Sequence, residues 1–145
     1  MRHGVAHARW PGRLECFPGP PPLWLDGAHN PDGVLSLTRF MAVLARREPR
    51  SPSVLIFSVL RDKAAAAMVA LLRPWVERVF VVSCGGERAL GAEALLTLWR
   101  DAGVSVVACP RVPEALAAAR AAAPAGRIWV AGSLWLVGEV RSLLL

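Results

Sequence analysis

The sequence predicts an α/β fold: a mostly parallel sheet of about six strands with helices on both faces. Three observations predict it. Apolar, strand-like runs alternate with helix-patterned stretches five times along the chain. The run "SVLIFSVL" at 53–60 is continuously apolar, as in a strand buried on both sides. No repeat or low-complexity linker interrupts the alternation, so 145 residues make one ordinary domain.

The elements follow in order. "RLECF" (13–17) and "LWL" (23–25) flank the turn "PGPPP" and read as an opening antiparallel pair at the sheet edge. The stretch 30–47 places Val34, Leu37, Met41 and Leu44 at helical spacing. After the strand at 53–60, "DKAAAAMVALLRPW" (62–75) is Ala-rich and helical, with Pro74 marking its end. "RVFVVSC" (78–84) is the next strand. The helix at 91–103 follows, with Gly103 as its stop. "VSVVAC" (104–109) is a strand, and 112–123 is a helix with Pro113 near its first position. "RIWVAG" (127–132) and a closing helix at 133–145 complete a Rossmann-like three-layer sandwich. Residues 1–9 read as an arm or linker and 10–145 as the domain.

Composition narrows the function classes. Apolar residues make up 54% of the chain, yet no uncharged apolar block is long enough to span a bilayer. The N-terminus lacks the apolar core of a signal peptide, so the expected compartment is the cytoplasm. The formal charge is +6, and 16 of the 17 basic residues are Arg. They are scattered singly apart from "ARREPR" at 45–50, without interleaved aromatics, so no nucleic-acid partner is expected. Cys16, Cys84 and Cys109 have no metal-ligand or redox spacing and read as buried thiols.

The stretch with chemistry in it is "LDGAHNPDG" (25–33). Asp26 ends a strand, and Asn30 and Pro31 suit the N-cap and first position of the next helix. Asp26, Gly27, Ala28 and His29 therefore form a loop at the carboxyl edge of the sheet, where such folds bind ligands. A carboxylate there can accept hydroxyls, as from a ribose, and an imidazole can meet a phosphate or carboxylate. The same residues can also serve only as a local cap and loop packing, and local chemistry leaves both readings open. Arg13 lies across the opening hairpin, where a guanidinium would suit phosphate oxygens if the strands pair.

Four ordered motifs, "WPGRLE" (10–15), "LDGAHNPDG" (25–33), "VLRDK" (59–63) and "AGSLWLVGEV" (131–140), resemble the C-terminal domain of the folylpolyglutamate synthase / dihydrofolate synthase family, within the Mur ligase superfamily. The resemblance implies an ATP-dependent ligase that converts a folate or pteroate carboxylate to an acyl phosphate, which the amino group of L-glutamate then attacks. It implies that Arg13 contacts ATP phosphate, that Asp26 holds the nucleotide ribose, and that His29 is the catalytic candidate facing an interdomain cleft. It also implies that Ser133 helps hold glutamate, although Ser133 reads equally as a plain N-cap of the closing helix, and it puts Trp135 where many relatives have Tyr or Phe.

Such enzymes use ATP and magnesium, and their phosphate-binding loop, magnesium ligands and most of the folate pocket lie in a larger N-terminal domain. The chain has no G-x-x-x-x-G-K-[ST] string, and its one lysine, Lys63, sits at the expected start of a helix. The expectation is a C-terminal domain that adds nucleotide and glutamate contacts to a site completed elsewhere, with no metal site of its own. The alternatives are a non-catalytic Rossmann-like binding or interaction module, or the C-terminal domain of another Mur ligase acting on peptidoglycan precursors.

Overall fold

A computed structural model describes residues 11–145; the expected arm at 1–9, and Trp10, lie outside the described residues. Six strands run in the order β1-β2-β6-β3-β4-β5: β1 (Glu15–Phe17), β2 (Leu23–Leu25), β3 (Ser53–Phe57), β4 (Arg78–Val81), β5 (Ser105–Ala108) and β6 (Arg127–Ala131). The β1–β2 pair is antiparallel and every other pairing is parallel. Five helices connect them: α1 (Pro31–Arg47), α2 (Ala65–Leu72), α3 (Ala92–Asp101), α4 (Val112–Ala122) and α5 (Leu134–Leu144). The expected three-layer sandwich with an antiparallel opening pair is the observed fold.

The period-2 alternation of β3 explains the two cores. Leu55 and Phe57 point to one face, where α1, α2 and α3 pack through Val34, Leu37, Met41, Met68, Leu95 and Trp99. Val54 and Ile56 point to the other, against Val112, Leu116, Leu136, Val137 and Val140 of α4 and α5. The helix leaving β2 thus covers one face and the helix leaving β6 the opposite face. β2 and β6 are neighbours whose following helices cover opposite faces, so their carboxyl ends mark the switch point where such sheets place ligands.

Several boundaries differ from the sequence reading. β3 stops at Phe57, because Ser58–Leu60, although buried or half-buried, turn away from the sheet and Leu60 bridges Ala89. The helix expected over 62–75 is α2 alone, followed by a 3-10 turn at Arg73–Trp75. Pro74 has no N–H for a helical bond, so the chain tightens there. β4 ends at Val81, and Cys84 leaves it with its N–H donated to the Ser58 hydroxyl. β1 starts at Glu15, two residues later than expected, because Leu14 has φ +46°, outside extended geometry. All three cysteines are free; Cys84 and Cys109 are buried, but Cys16, on the edge strand, is only half-buried. Among the described residues no helix is long and apolar enough to cross a membrane.

Candidate functional site

β1 runs antiparallel to its neighbour, so its start lies at the same edge as the ends of β2, β6 and β3. Sequence-distant residues meet there. Asp26 leaves β2 with its N–H donated to Val130 O (3.0 Å). Its carboxylate accepts from Leu14 N (3.1 Å) and from Ala28 N (2.9 Å), one on each oxygen. Each oxygen keeps a second acceptor position. Burial pushes the Asp26 carboxyl up from its ordinary value, against the two backbone N–H groups and the charge of Arg13, which pull it down. The side chain is thus fixed in direction and still able to accept a hydroxyl.

Arg13 is exposed and sits one residue from the Leu14 N–H that grips Asp26. Its turn is tightly held. Gly12 (φ +72°) donates its N–H to Glu15 Oε1 (2.8 Å) and accepts from Gly27 N (2.6 Å). A Cβ on Gly12 would come within 2.9 Å of Val137 Cγ1. Leu14 follows with a positive φ that a leucine adopts only at a cost of roughly 1–3 kcal/mol.

His29 is half-buried and its Nδ1 lies 2.8 Å from Gly27 O. A carbonyl only accepts, so Nδ1 carries the proton. The neutral ring then offers Nε2 as an acceptor, and the imidazolium offers it as a donor. Asn30 caps α1 through Oδ1 to Gly33 N (2.8 Å), with Pro31 in the first turn, as the sequence indicates.

In the loop after β6, Gly132 has φ +108°, and its N–H is donated to Ala28 O (2.9 Å), tying this loop to the one after β2. A Cβ there would fall 2.0 Å from Ser58 O, so only glycine lets β6 turn at this point. Ser133 follows, 1% exposed, its Oγ accepting from Trp135 N (3.1 Å) and Leu136 N (3.4 Å) as the N-cap of α5. Its hydroxyl is therefore engaged in the cap. Leu134 and Trp135, 61% and 57% exposed, rim an open groove of about 580 Å³ with Gly138, Glu139 and Ser142. Leu134 packs where a Cβ on Gly27 would stand, and the Trp135 ring lies against Gly85. Lys63 is half-buried in the turn between β3 and α2, not inside the helix.

The edge thus brings together Arg13, Asp26, His29 and the α5 N-terminus capped by Ser133. The sequence does not point to Gly132, whose only trace is a glycine after a strand. Nor does it point to the half-buried Glu15, which also accepts from Arg141 Nε (2.9 Å). Among the described residues no three of His, Cys, Asp and Glu come together to hold a metal ion.

The family described as "Mur ligase, glutamate ligase domain" matches residues 12–134, nearly the whole described chain. The chain belongs to this family. Among its relatives, the folylpolyglutamate synthase of Lacticaseibacillus casei is 35% identical over 150 residues, covering 100% of this chain and 32% of that protein. E. coli FolC solved in complex with ADP superposes with a TM-score of 0.85 at 29% identity, covering 99% of this chain and 33% of that one. The Yersinia pestis folylpolyglutamate synthase/dihydrofolate synthase solved with Mn, AMPPNP and L-glutamate superposes at 0.78 with 27% identity, covering 99% and 34%. The chain thus spans about a third of the length of these relatives. In this Mur ligase domain the loops after β2 and β6 and the turn before β1 lie together at one edge of the sheet.

Proposed function

We propose that this domain completes the site of an ATP-dependent folate–glutamate ligase whose phosphate-binding loop lies in another domain. In this reading Arg13 meets the ATP phosphates and Asp26 accepts the ribose hydroxyls. The relatives' complexes with nucleotide and with glutamate support it. The observation that carries the reading is that Arg13, Asp26, His29 and the start of α5 share one edge of the sheet, with Asp26 clamped by the backbone on either side.

The reaction has two steps. The substrate carboxylate takes the γ-phosphoryl group of ATP, releasing ADP. The glutamate amine then attacks the acyl carbon, phosphate leaves, the amide forms, and the ammonium proton must depart. A guanidinium at Arg13 offsets charge on the transferring phosphoryl group. His29 orients the reactants or stabilises charge: its Nε2 accepts from the ammonium when the ring is neutral, and donates to phosphate oxygens when it is protonated. A neutral ring donating through Nε2 is ruled out by the bond to Gly27 O. Ser133 is proposed to serve glutamate by ordering the first turn of α5, whose N–H groups favour a carboxylate. In this reading the magnesium that would offset phosphate charge is held by the domain that carries the phosphate-binding loop.

The test is folate-, glutamate- and ATP-dependent phosphate release. The chain alone should give none above background, since phosphoryl transfer depends on the loop and metal. Combined with the ATP-carrying domain it should release phosphate and form the γ-glutamyl amide. Release by the chain alone, or none by the combination, would refute the proposal.

A further inference from the structure

Glu15 is the residue of "WPGRLE" to which the ligase reading gives no task, yet its carboxylate is bound from two sides. Oε1 accepts from Gly12 N at 2.8 Å and from Arg141 Nε at 2.9 Å. The Glu15 side chain is 10% exposed and that of Arg141 31%, so this pair is better shielded than the exposed Arg111–Glu114 pair on α4. The two residues are 126 positions apart, and together they fasten the last turn of α5 to the start of β1.

What the pair fastens is the strained turn. Gly12 and Leu14 both have positive φ, and Arg13 stands between them. A leucine in that conformation persists only where its surroundings over-determine it. Among the described residues the constraints are Glu15 on Gly12 N, Gly27 on Gly12 O, Asp26 on Leu14 N, and Val137 against the face of Gly12. The Glu15 bond is itself anchored by the charge of Arg141 on α5. Released from it, Gly12 can swing, Leu14 can relax to an ordinary φ, and Asp26 loses the N–H that aims one of its oxygens.

We propose that Glu15 and Arg141 are a positioning pair that holds the Gly12–Leu14 turn, and through it sets Arg13 and Asp26 at the carboxyl edge of the sheet. This rests on the ligase reading for what the aimed groups do, but not for the hold on the turn. Neither residue touches substrate. A misplacement of about 1 Å in positioned groups costs about 100-fold in rate, which sets the scale of the expected effect.

Two readouts test it. In the 145-residue chain, backbone hydrogen exchange followed by NMR should show the Gly12, Leu14 and Gly27 amides exchanging at least about 10-fold faster in Glu15→Ala and Arg141→Ala. Amides of β3 and β6 should be unchanged. Glu15→Gln, which keeps an acceptor for Gly12 N, should restore most of the protection. In the assembled ligase, Glu15→Ala should lower kcat by about 10-fold to 100-fold. Added to Arg13→Ala it should cost little more, because both remove the same aimed group. Unchanged exchange at the turn overturns the pair's structural role. Faster exchange with unaltered kcat, or full additivity with Arg13→Ala, overturns its positioning role. If Arg13→Ala itself leaves kcat intact while exchange changes as expected, the ligase reading falls, and the positioning role falls with it.

Discussion

Replacing Asp26 separates what its charge does from what its shape does. Asp26→Ala removes the acceptors of Leu14 N and Ala28 N together. A hydrogen bond to a charged group contributes roughly 1.5–3 kcal/mol, which burial of the carboxylate offsets in part. A net loss of about 2 kcal/mol is expected. Asp26→Asn keeps one acceptor and removes the buried charge, so its cost should be about 1 kcal/mol or less. The two variants also differ with pH. The folded carboxyl titrates above its ordinary value of 3.8, chiefly because of burial. The folded state therefore binds more protons than the unfolded state between the two values, and stability falls as pH rises through that window. The contribution is fully present below 3.8 and lost above the raised value. Urea unfolding of wild type and Asp26→Asn from about pH 3 to pH 7 measures the difference. The advantage of the wild type over Asn should shrink as pH rises and then level off. An advantage that grows with pH would instead show that the two N–H groups and Arg13 outweigh burial.

Other outcomes follow from the same edge. Gly132→Ala puts a Cβ 2.0 Å from Ser58 O at φ +108°, and should cost about 3 kcal/mol or more, whereas Gly86→Ala, with φ +64° and open space, should cost about 1 kcal/mol; thermal melts of the two compare them. Ser133→Ala strips the cap from Trp135 N and Leu136 N and should lower stability by about 1 kcal/mol in denaturant titrations, a loss that would be absent if the cap were incidental. His29→Ala should slow ligation in the assembled enzyme while the melting temperature of the domain stays within a degree or two, since a loop-edge imidazole adds little to the core; an unchanged ligation rate would reduce His29 to loop structure.

The fold was legible because periodicity and burial coincide. The continuous apolar run at 53–57 lies in the sheet centre, and the spacing of Val34, Leu37, Met41 and Leu44 matches the buried face of α1. Asn30 and Pro31 marked the helix start because capping is local chemistry. Strand ends were less legible. Ser58 and Val59 are fully buried yet lie outside β3, and an apolar run signals burial rather than pairing. At the site, the meeting of Arg13 and Asp26 could be expected from the hairpin. The means could not: leucine carries no signal for a positive φ, so Leu14 reads as ordinary strand. Glu15 and Arg141 meet only through the packing of α5 on β1, a contact that no local pattern encodes. Ser133 looked like a ligand contact and a cap equally, and the structure shows its hydroxyl engaged in the cap.

In the proposed ligase this edge supplies the nucleotide half of the site. Steady-state kinetics of Arg13→Ala and Asp26→Ala in the assembled enzyme, with ATP varied at saturating folate and glutamate, test it most directly. If, as proposed, Asp26 grips the ribose in ground and transition state alike, its loss should raise KM for ATP with kcat nearly unchanged. If Arg13 meets charge that grows on the transferring phosphoryl group, its loss should lower kcat by an amount equivalent to about 2–4 kcal/mol. Two folded variants with wild-type KM and kcat would contradict the account and leave the loop as structure alone.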